Sequence, residues 1–255
     1  MVAYVKQSEL SKILDQRWKE PWRLREDREK AILKSHGKII KMLASTPLPT
    51  EYGYFTYMVF GDYTTGEFHN AVIYGDAKKG IKKEGMLVRV HSSCGTSELF
   101  HAVNCECREE LDEAMKRISK NKSGMVIYLN QEGAGNGIAP KIEAYSKSLI
   151  WKGNKVVEAK DKQGKPITVY DAYKMLGYKP ENRSLLVAAE IIKFLGIKSI
   201  RLMTNNPKKI EELRKYGIKV EPEGIHIKPK SKIVRDSLKA KAKILGHNIT
   251  DKDLK

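Results

Sequence analysis

The sequence predicts an α/β fold, or α+β in layers, and three observations predict it. Strand-type and helix-type segments alternate through the second half of the chain, the pattern of a layered sheet-and-helix domain. The strand segments are short apolar runs bounded by turn residues, whereas the helical ones carry apolar stripes of period 3.6 with recognisable caps. The chain has 255 residues, 41% hydrophobic and 31% charged, enough for a large core that needs no disulfide staples and ordinary for a soluble globular protein. No run of about 18 apolar residues offers a membrane span. The first twenty residues lack the apolar core and small-residue cleavage site of a secretory signal, so the expected location is cytoplasmic.

In chain order, residues 1–45 read as an N-terminal helical extension, separate from a main domain over 46–255. The extension is charge-dense and helical in period, interrupted by Pro21. Ile13, Leu14 and Trp18 share one face, as do Ile32, Leu33, Ile39, Ile40 and Leu43 if a break is allowed at Gly37. TPLPTEYGYF is a turn-rich joint. YFTYMVFGDY and EFHNAVIYGD predict strands around a turn at Thr64–Gly66, and GMLVRVHSS predicts a third. REELDEAMKRISKNK is a helix and GMVIYLNQ a buried strand. PKIEAYSKSLIWKG reads as a helix with Pro140 in its first turn and Gly153 past its end. EAKDKQGKPITVY is a loop or hairpin. RSLLVAAEIIKFLG is a helix capped by Ser184 and stopped by Gly196. SIRLMT is a strand, NNPKKIEELRKYG a capped helix, and SKIVRDSLKAKAKILGHNI a basic helical tail.

Lysine and arginine total 48 against 31 acidic residues, a formal charge of +17. Such a surplus implies a solvated basic surface or a polyanionic partner. The lysines are scattered rather than blocked, and no nucleic-acid-binding motif is present. A phosphate-bearing small ligand is therefore favoured over nucleic acid, and a membrane is not expected as partner.

All three cysteines fall within CGTSELFHAVNCEC, residues 94–107. Three thiols cannot all pair within one chain, and a reducing cytosol disfavours disulfides. C-x10-C-x-C offers three soft ligands without an obvious fourth. Closed structural zinc sites use four protein ligands, while catalytic ones keep three and leave a place for water. Cys105 and Cys107 precede a predicted helix whose N-terminal dipole favours thiolates. Three unrelated buried cysteines, or a fourth ligand from a distant Asp or His, are the alternatives. QEGAGNG, 131–137, is a Gly-rich strand-to-helix turn where a backbone can approach a ligand closely. TNNPKK, 204–209, is a second such turn, with a hydroxyl and two lysines at the amide-rich end of a helix, a plausible phosphate cradle. Either turn could equally be ordinary helix capping.

Taken together, TEYG, VIYGD, VRVHSSC, the cysteine spacing, QEG, KIEAY, VVEA and RLMTNNPKK resemble the GTP cyclohydrolase II family, from about Thr46 to His247. The resemblance implies a mixed β-sheet flanked by helices, a homodimer, one Zn²⁺ per subunit and Mg²⁺ for the triphosphate. It implies that zinc activates a water against C8 of the purine imidazole ring of GTP, that formate and pyrophosphate are released, and that a diaminopyrimidinone ribosylamine 5′-phosphate remains, in riboflavin synthesis. By resemblance, Cys94, Cys105 and Cys107 hold zinc, Arg183 is the nucleophile toward the α-phosphate, Glu181 the proton acceptor, and Tyr145 a catalytic tyrosine. Arg89, Val90, His91, Ser92, Ser93, Glu110, Glu132, Gly133, Ala134, Val156, Thr204 and Lys209 fall on nucleotide-binding positions.

The chain departs from the family pattern in places. HSSC stands where HSEC is usual, so Ser93 replaces a carboxylate. Glu110 replaces a glutamine, Ala134 an arginine, Val156 a threonine and Glu181 an aspartate. The segment between Glu158 and Leu176 is longer. The metal positions and several phosphate positions are kept, while those around base and sugar are altered. That leaves two alternatives to the GTP reaction: a divergent paralogue with a changed substrate, of the uracil-catabolism type, or a non-catalytic nucleotide- or zinc-binding protein.

Overall fold

The computed structural model describes residues 39–251 and 253–254. Its first element, β1 (Ile40–Thr50), pairs antiparallel with β2 (Gly53–Asp62) from Ile40↔Asp62 to Thr50↔Gly53. The helical reading of residues 40–45 is therefore corrected: Ile40 and Leu43 belong to a strand. The turn-rich joint is likewise the far half of that strand and the turn into β2. Pro47 and Pro49 are tolerated because β1 is an outermost strand, where a missing N–H breaks no inner ladder. The rest of the predicted extension, 1–38, lies outside the described residues.

The chain continues through β3 (Phe68–Tyr74), the short α1 (Ala77–Gly80), β4 (Met86–Ser92), the single turn α2 (Gly95–Glu98), α3 (Cys107–Asn121) and β5 (Met125–Leu129). A 3-10 turn at Gly133–Gly135 leads into α4 (Ile138–Ser148). The predicted helix ends there, and Leu149–Lys152 forms β6, paired with β7 (Lys155–Glu158) across a hairpin turn at Gly153. Then follow α5 (Val169–Met175), opened by a Thr168–Asp171 capping box, α6 (Leu186–Phe194), β8 (Ser199–Met203), α7 (Pro207–Lys215), β9 (Lys219–Glu223) and α8 (Lys232–Ala240), which runs into a wider helical turn, Lys241–Leu245. The expected Ser184 cap is corrected: the N-cap of α6 is Leu185, without a side-chain cap bond, and the hydroxyl of Ser184, two residues before Leu186, accepts from that residue's N–H at 3.3 Å.

The sheet is mixed, with strand order β1-β2-β3-β5-β4-β8-β9. The β1, β2, β3 and β5 pairings are antiparallel, while β5–β4, β4–β8 and β8–β9 are parallel. From β4 the chain goes to one side through α3 to reach β5, and later returns to the other side at β8. Side chains alternate between faces along each strand. Val88, Val90, Met125 and Ile127 meet α6 and α7 through Ile191, Ile192 and Leu213. Leu87 and Val126 meet α3 through Ala114, Met115 and Ile118 on the other face. Each fully buried side chain of this size stabilises by about 1.5–3 kcal/mol relative to exposure. The packing on both faces holds the strand ends in fixed positions.

Candidate active site

In open sheets with parallel strands, ligands sit beyond the carboxyl ends where the connections diverge to opposite sides. Here those ends are β4, β5 and β8, and each carries one of the sequence motifs. VRVHSSC leaves β4, QEGAGNG leaves β5, and TNNPKK leaves β8. All three open onto one cavity of about 160 Å³. It is lined by Arg89, His91, Ser92, Ser93, Cys94, Cys105, Cys107, Glu110, Glu132, Gly133, Ala134, Tyr145, Arg183, Thr204 and Lys209. These come from widely separated parts of the chain.

The thiols converge. The three Sγ atoms lie within 4.8 Å of one another, and Cys94 Sγ is 3.6 Å from Cys105 Sγ. Thiolates about 2.3 Å from a tetrahedral ion stand about 3.8 Å apart, so the donor set and spacing fit a zinc-type ion. No other group of three or more such donors occurs among the described residues. Hydrogen bonds from the Cys105 and Cys107 thiols, helped by Lys141, hold the Cys94 thiol far below its usual range. Cys107 is pushed the other way by its hydrogen bonds to Cys105 and Cys94 and by burial. Ionising all three thiols at this spacing would require a cation among them.

Glu132 builds the floor of this side. Its Oε2 accepts from the N–H of Gly95 at 2.6 Å, and its Oε1 accepts from the N–H of Gly133 at 2.9 Å and from Lys141 Nζ at 2.7 Å. The carboxylate thus ties the turn after Cys94 to the Gly-rich loop. Lys141 Nζ also lies 3.1 Å from Cys94 Sγ and 5.6 Å from the centre of the Tyr145 ring. Burial pushes the Tyr145 hydroxyl above its ordinary range, so it remains a proton donor at neutral pH. The loop needs glycine at 135: a Cβ there would stand 2.7 Å from the carbonyl of Asn182, at a φ of +84°. That close approach, with the N–H of Asn182 donating to Ala134 O at 2.9 Å, brings Arg183 to the cavity.

The opposite side is cationic. Arg89 donates to Met203 O at 2.9 Å and pairs with Glu110, whose acidity is strengthened, against the effect of burial, by Arg89 and Lys241. Arg183 binds Glu181 through two guanidinium nitrogens, one at 2.7 Å, and its own N–H donates to the same carboxylate at 3.1 Å. Lys209 Nζ donates to Val90 O at 3.1 Å. Burial, then the charges of Arg183 and Arg89, lower its ammonium to about 7. Thr204 Oγ1 accepts from the N–H of Asn206 at 3.1 Å, leaving its proton free to donate.

Three predicted residues do not line the cavity. Val90 turns its side chain into the core and offers only its carbonyl. Glu181 acts on the cavity through Arg183. Val156 lies on β7 across from Trp151, half exposed, while Glu158 of the same strand reaches the cavity. Sequence reasoning passed over Glu106, Lys141, Tyr170, Tyr173, Lys241 and His247, all of which line it. Lys141 was findable, since it stands four residues before Tyr145 on one helix and so shares its face. The others carry no local signal.

Buried polar side-chain atoms without a partner mark the same space. Arg89 Nε, His91 Nδ1, Ser92 Oγ, Ser93 Oγ, Asn104 Oδ1, Glu106 Oε2, Gln131 Oε1 and His247 Nε2 belong to residues that line it; among the described residues only His69 and Ser123 carry such atoms elsewhere. Orphaned polar atoms are costly unless a ligand or water satisfies them. Their concentration here is the signature of a polar ligand's place. No helix among the described residues is long and apolar enough to cross a membrane.

Comparison with known proteins agrees with this geometry. A family model described as GTP cyclohydrolase II matches residues 41–224. The riboflavin biosynthesis protein RibBA of Endomicrobium trichonymphae is 39% identical over 211 residues, 82% of this chain and 48% of that protein. GTP cyclohydrolase-2 of Tolumonas auensis is 35% identical over 212 residues, 83% of this chain and 98% of that one. GTP cyclohydrolase-2 of Haemophilus influenzae (strain PittEE) is 36% identical over 210 residues, 82% and 89% of the two chains. The chain thus spans about half the length of the RibBA relative and nearly all of the shorter ones. Both the match and the three strand-end motifs fall within one continuous stretch, and on that basis the chain belongs to the GTP cyclohydrolase II family.

Proposed function

We propose that the protein is a zinc-dependent cyclohydrolase that opens the imidazole ring of a purine nucleoside triphosphate, GTP first among them. Formate leaves from C8, pyrophosphate leaves from the triphosphate, and a diaminopyrimidinone ribosylamine 5′-phosphate remains. One observation carries this reading: the thiol triad and the cations Arg89, Arg183 and Lys209 open onto a single cavity. One side suits a metal, and the other suits a polyphosphate.

Cys94, Cys105 and Cys107 would hold the zinc, which would supply Lewis acidity for activating water. The chain's own residues do the rest. Lys141 offsets the negative charge of the thiolates through its contact with Cys94. Tyr145 keeps its proton and can donate it toward the opening ring. Arg183, oriented by its two bonds to Glu181, presents its guanidinium to the α-phosphate. Lys209 gains a proton-bound charge as phosphate approaches, and Thr204 donates its hydroxyl. Mg²⁺ accompanies the triphosphate as its usual counter-cation. The names of the relatives favour riboflavin biosynthesis as the setting; a cytoplasmic homodimer is the working form that the family resemblance implies.

A second reading has one observation in its favour. Ser93 Oγ is buried and has no hydrogen-bond partner among the described residues, where the family pattern has a carboxylate. The guanine edge offers N–H donors that a carboxylate accepts well, so the base taken here could differ from guanine. The test is to incubate zinc-loaded protein with GTP and with other purine triphosphates, following formate and pyrophosphate separately. Both products from GTP are expected. Formate from another purine alone would select the second reading, and no formate from any nucleotide would sink the cyclohydrolase function.

A further inference from the structure

The family model ends at residue 224, but the chain returns to the cavity after it. Ile233, Ser237, Leu238, Lys241, His247 and Ile249 form one of its walls. This segment is clamped to the body at several points. Ser231 Oγ donates to Val103 O at 2.8 Å, Lys232 pairs with Glu158 at 3.0 Å, Lys230 pairs with Glu109, and the N–H of Asn248 donates to Asn205 O at 2.7 Å. Ala240 and Leu245 pack on Tyr170.

Lys241 is the one charged side chain that this segment brings to the cavity. Its ammonium pairs with Glu106, a carboxylate only 2% exposed whose Oε2 has no partner among the described residues. His247 lines the cavity with Lys241, Lys209, Arg183 and Glu110, and the carboxylate of Glu110 opposes the effect of the three cations on its imidazole. Burial, then Lys241, together with Lys209 and Arg183, lowers it to about 3, so Lys241 shares the positive field of the two residues already assigned to phosphate. Arg89, Arg183 and Lys241 each have a carboxylate, whereas Lys209 bonds only a carbonyl among the described residues. Three cations are thus matched by three carboxylates, and the surplus positive charge of the cluster is that of Lys209, which a bound polyanion holds protonated. His247 Nε2, buried and without a hydrogen-bond partner among the described residues, adds a neutral ring nitrogen in its midst.

We propose that Lys241 is a substrate-binding residue for the polyphosphate of the nucleotide, and that the segment Ser231–Ile249 seats on the bound ligand as a cover. This rests on the reading of the site as a nucleoside triphosphate site. A purely structural ion pair would predict something different. It would make Glu106 and Lys241 equally important, whereas a phosphate contact makes only the cation so.

The test is calorimetric binding of a non-hydrolysable GTP analogue to the zinc-loaded full chain. K241M is expected to bind roughly tenfold more weakly, about 1.4 kcal/mol. K241R should stay within about threefold, as a retained cation requires. E106Q should bind as tightly as the parent or more so, and the exposed-site control K243A should be unchanged. Guanosine, which lacks phosphate, should bind parent and K241M alike. Tryptic cleavage after Arg235 and Lys239 should slow when the analogue is present. If the parent protein does not bind the analogue, the nucleotide reading and this inference fall together. If the parent binds it and K241M binds equally well, Lys241 alone is excluded. An E106Q loss equal to that of K241M reduces the pair to a clamp, and unchanged tryptic cleavage removes the cover.

Discussion

The two sides of the cavity are built in different ways. The thiol side, proposed to hold the metal, is local: its three cysteines lie within residues 94–107, and its support, Glu132 and Lys141, comes from the next strand-to-helix turn. The cationic side is assembled from Arg89, Arg183, Lys209 and Lys241, which are carried by four separate segments. The metal side is fixed by short hydrogen bonds to backbone N–H groups. The cationic side is fixed by ion pairs with Glu110, Glu181 and Glu106, and leaves one lysine without a carboxylate. Bringing distant segments together costs loop-closure entropy that local turns avoid. The difference teaches that the two halves of the chemistry should be separable by mutation.

Cys105→Ser is the largest test of that separation. Stoichiometric zinc should be lost by metal analysis, and formate release should fall by several kcal/mol of barrier, roughly a thousandfold. The melting temperature should change little, because the core clusters lie away from the thiols. Nucleotide affinity should survive, because the cations are untouched. A parallel loss of affinity would show that the two sides are one unit.

Gly135→Ala attacks the joint between them. A Cβ at this position meets Asn182 at 2.7 Å and the N of Arg183 at 2.9 Å, with φ at +84°. The clash is with backbone, which cannot rotate away. Urea unfolding should show a loss of about 1–3 kcal/mol, and the displaced Arg183 should lower pyrophosphate release more than zinc content. Equal stability of the variant would mean that the loop does not hold the two sides together.

Lys209 gives the cationic side a pH signature. Its ammonium titrates near 7, below the ordinary lysine value of about 10.4. Between those values the unfolded chain holds more protons than the folded one, so this residue's contribution to stability rises with pH across that window. A bound polyanion restores the proton. At pH 8 nucleotide binding should take up roughly one proton, read by calorimetry in two buffers of different ionisation enthalpy, and affinity should fall about tenfold per unit above pH 7. Lys209→Arg should abolish the uptake and flatten the profile, because a guanidinium stays charged. The metal side should show no matching change in Cys105→Ser.

What the sequence revealed follows the same division. The alternation of strands and helices, the caps at Asn206 and Pro207, and the cysteine cluster were legible because each is a short-range pattern. β1 was misread because Ile40 and Leu43 also fit a helical period, and because Pro47 and Pro49 read as a joint until their place on an edge strand is known. β6 was absorbed into the preceding helix, since LIWK continues an apolar stripe and only pairing with KVVE distinguishes it. The cationic side was only partly legible. Lys209 stands in a strand-to-helix motif and Arg183 just before a helix, but Lys241 and Glu106 meet 135 positions apart, a contact that no local spacing announces.

Val156 supplies the smallest and sharpest test. The family pattern puts it at a nucleotide-binding position, but the structure leaves its side chain 46% exposed on the β6–β7 hairpin, outside the cavity lining. Across the hairpin it faces Trp151, itself 75% exposed. A side chain with this little burial carries little energy. Val156→Thr should shift stability by less than about 0.5 kcal/mol and leave analogue affinity unchanged. The contrast lies one turn of the pleat away. Glu158 points to the same side of β7, lines the cavity and pairs with Lys232 of the cover. Glu158→Gln should therefore change the tryptic cleavage of the cover, which Val156→Thr should not. If the threonine tightens nucleotide binding several-fold, the hairpin must close over the ligand, and the cavity acquires a third side as distant in sequence from the cysteines as the lysines are.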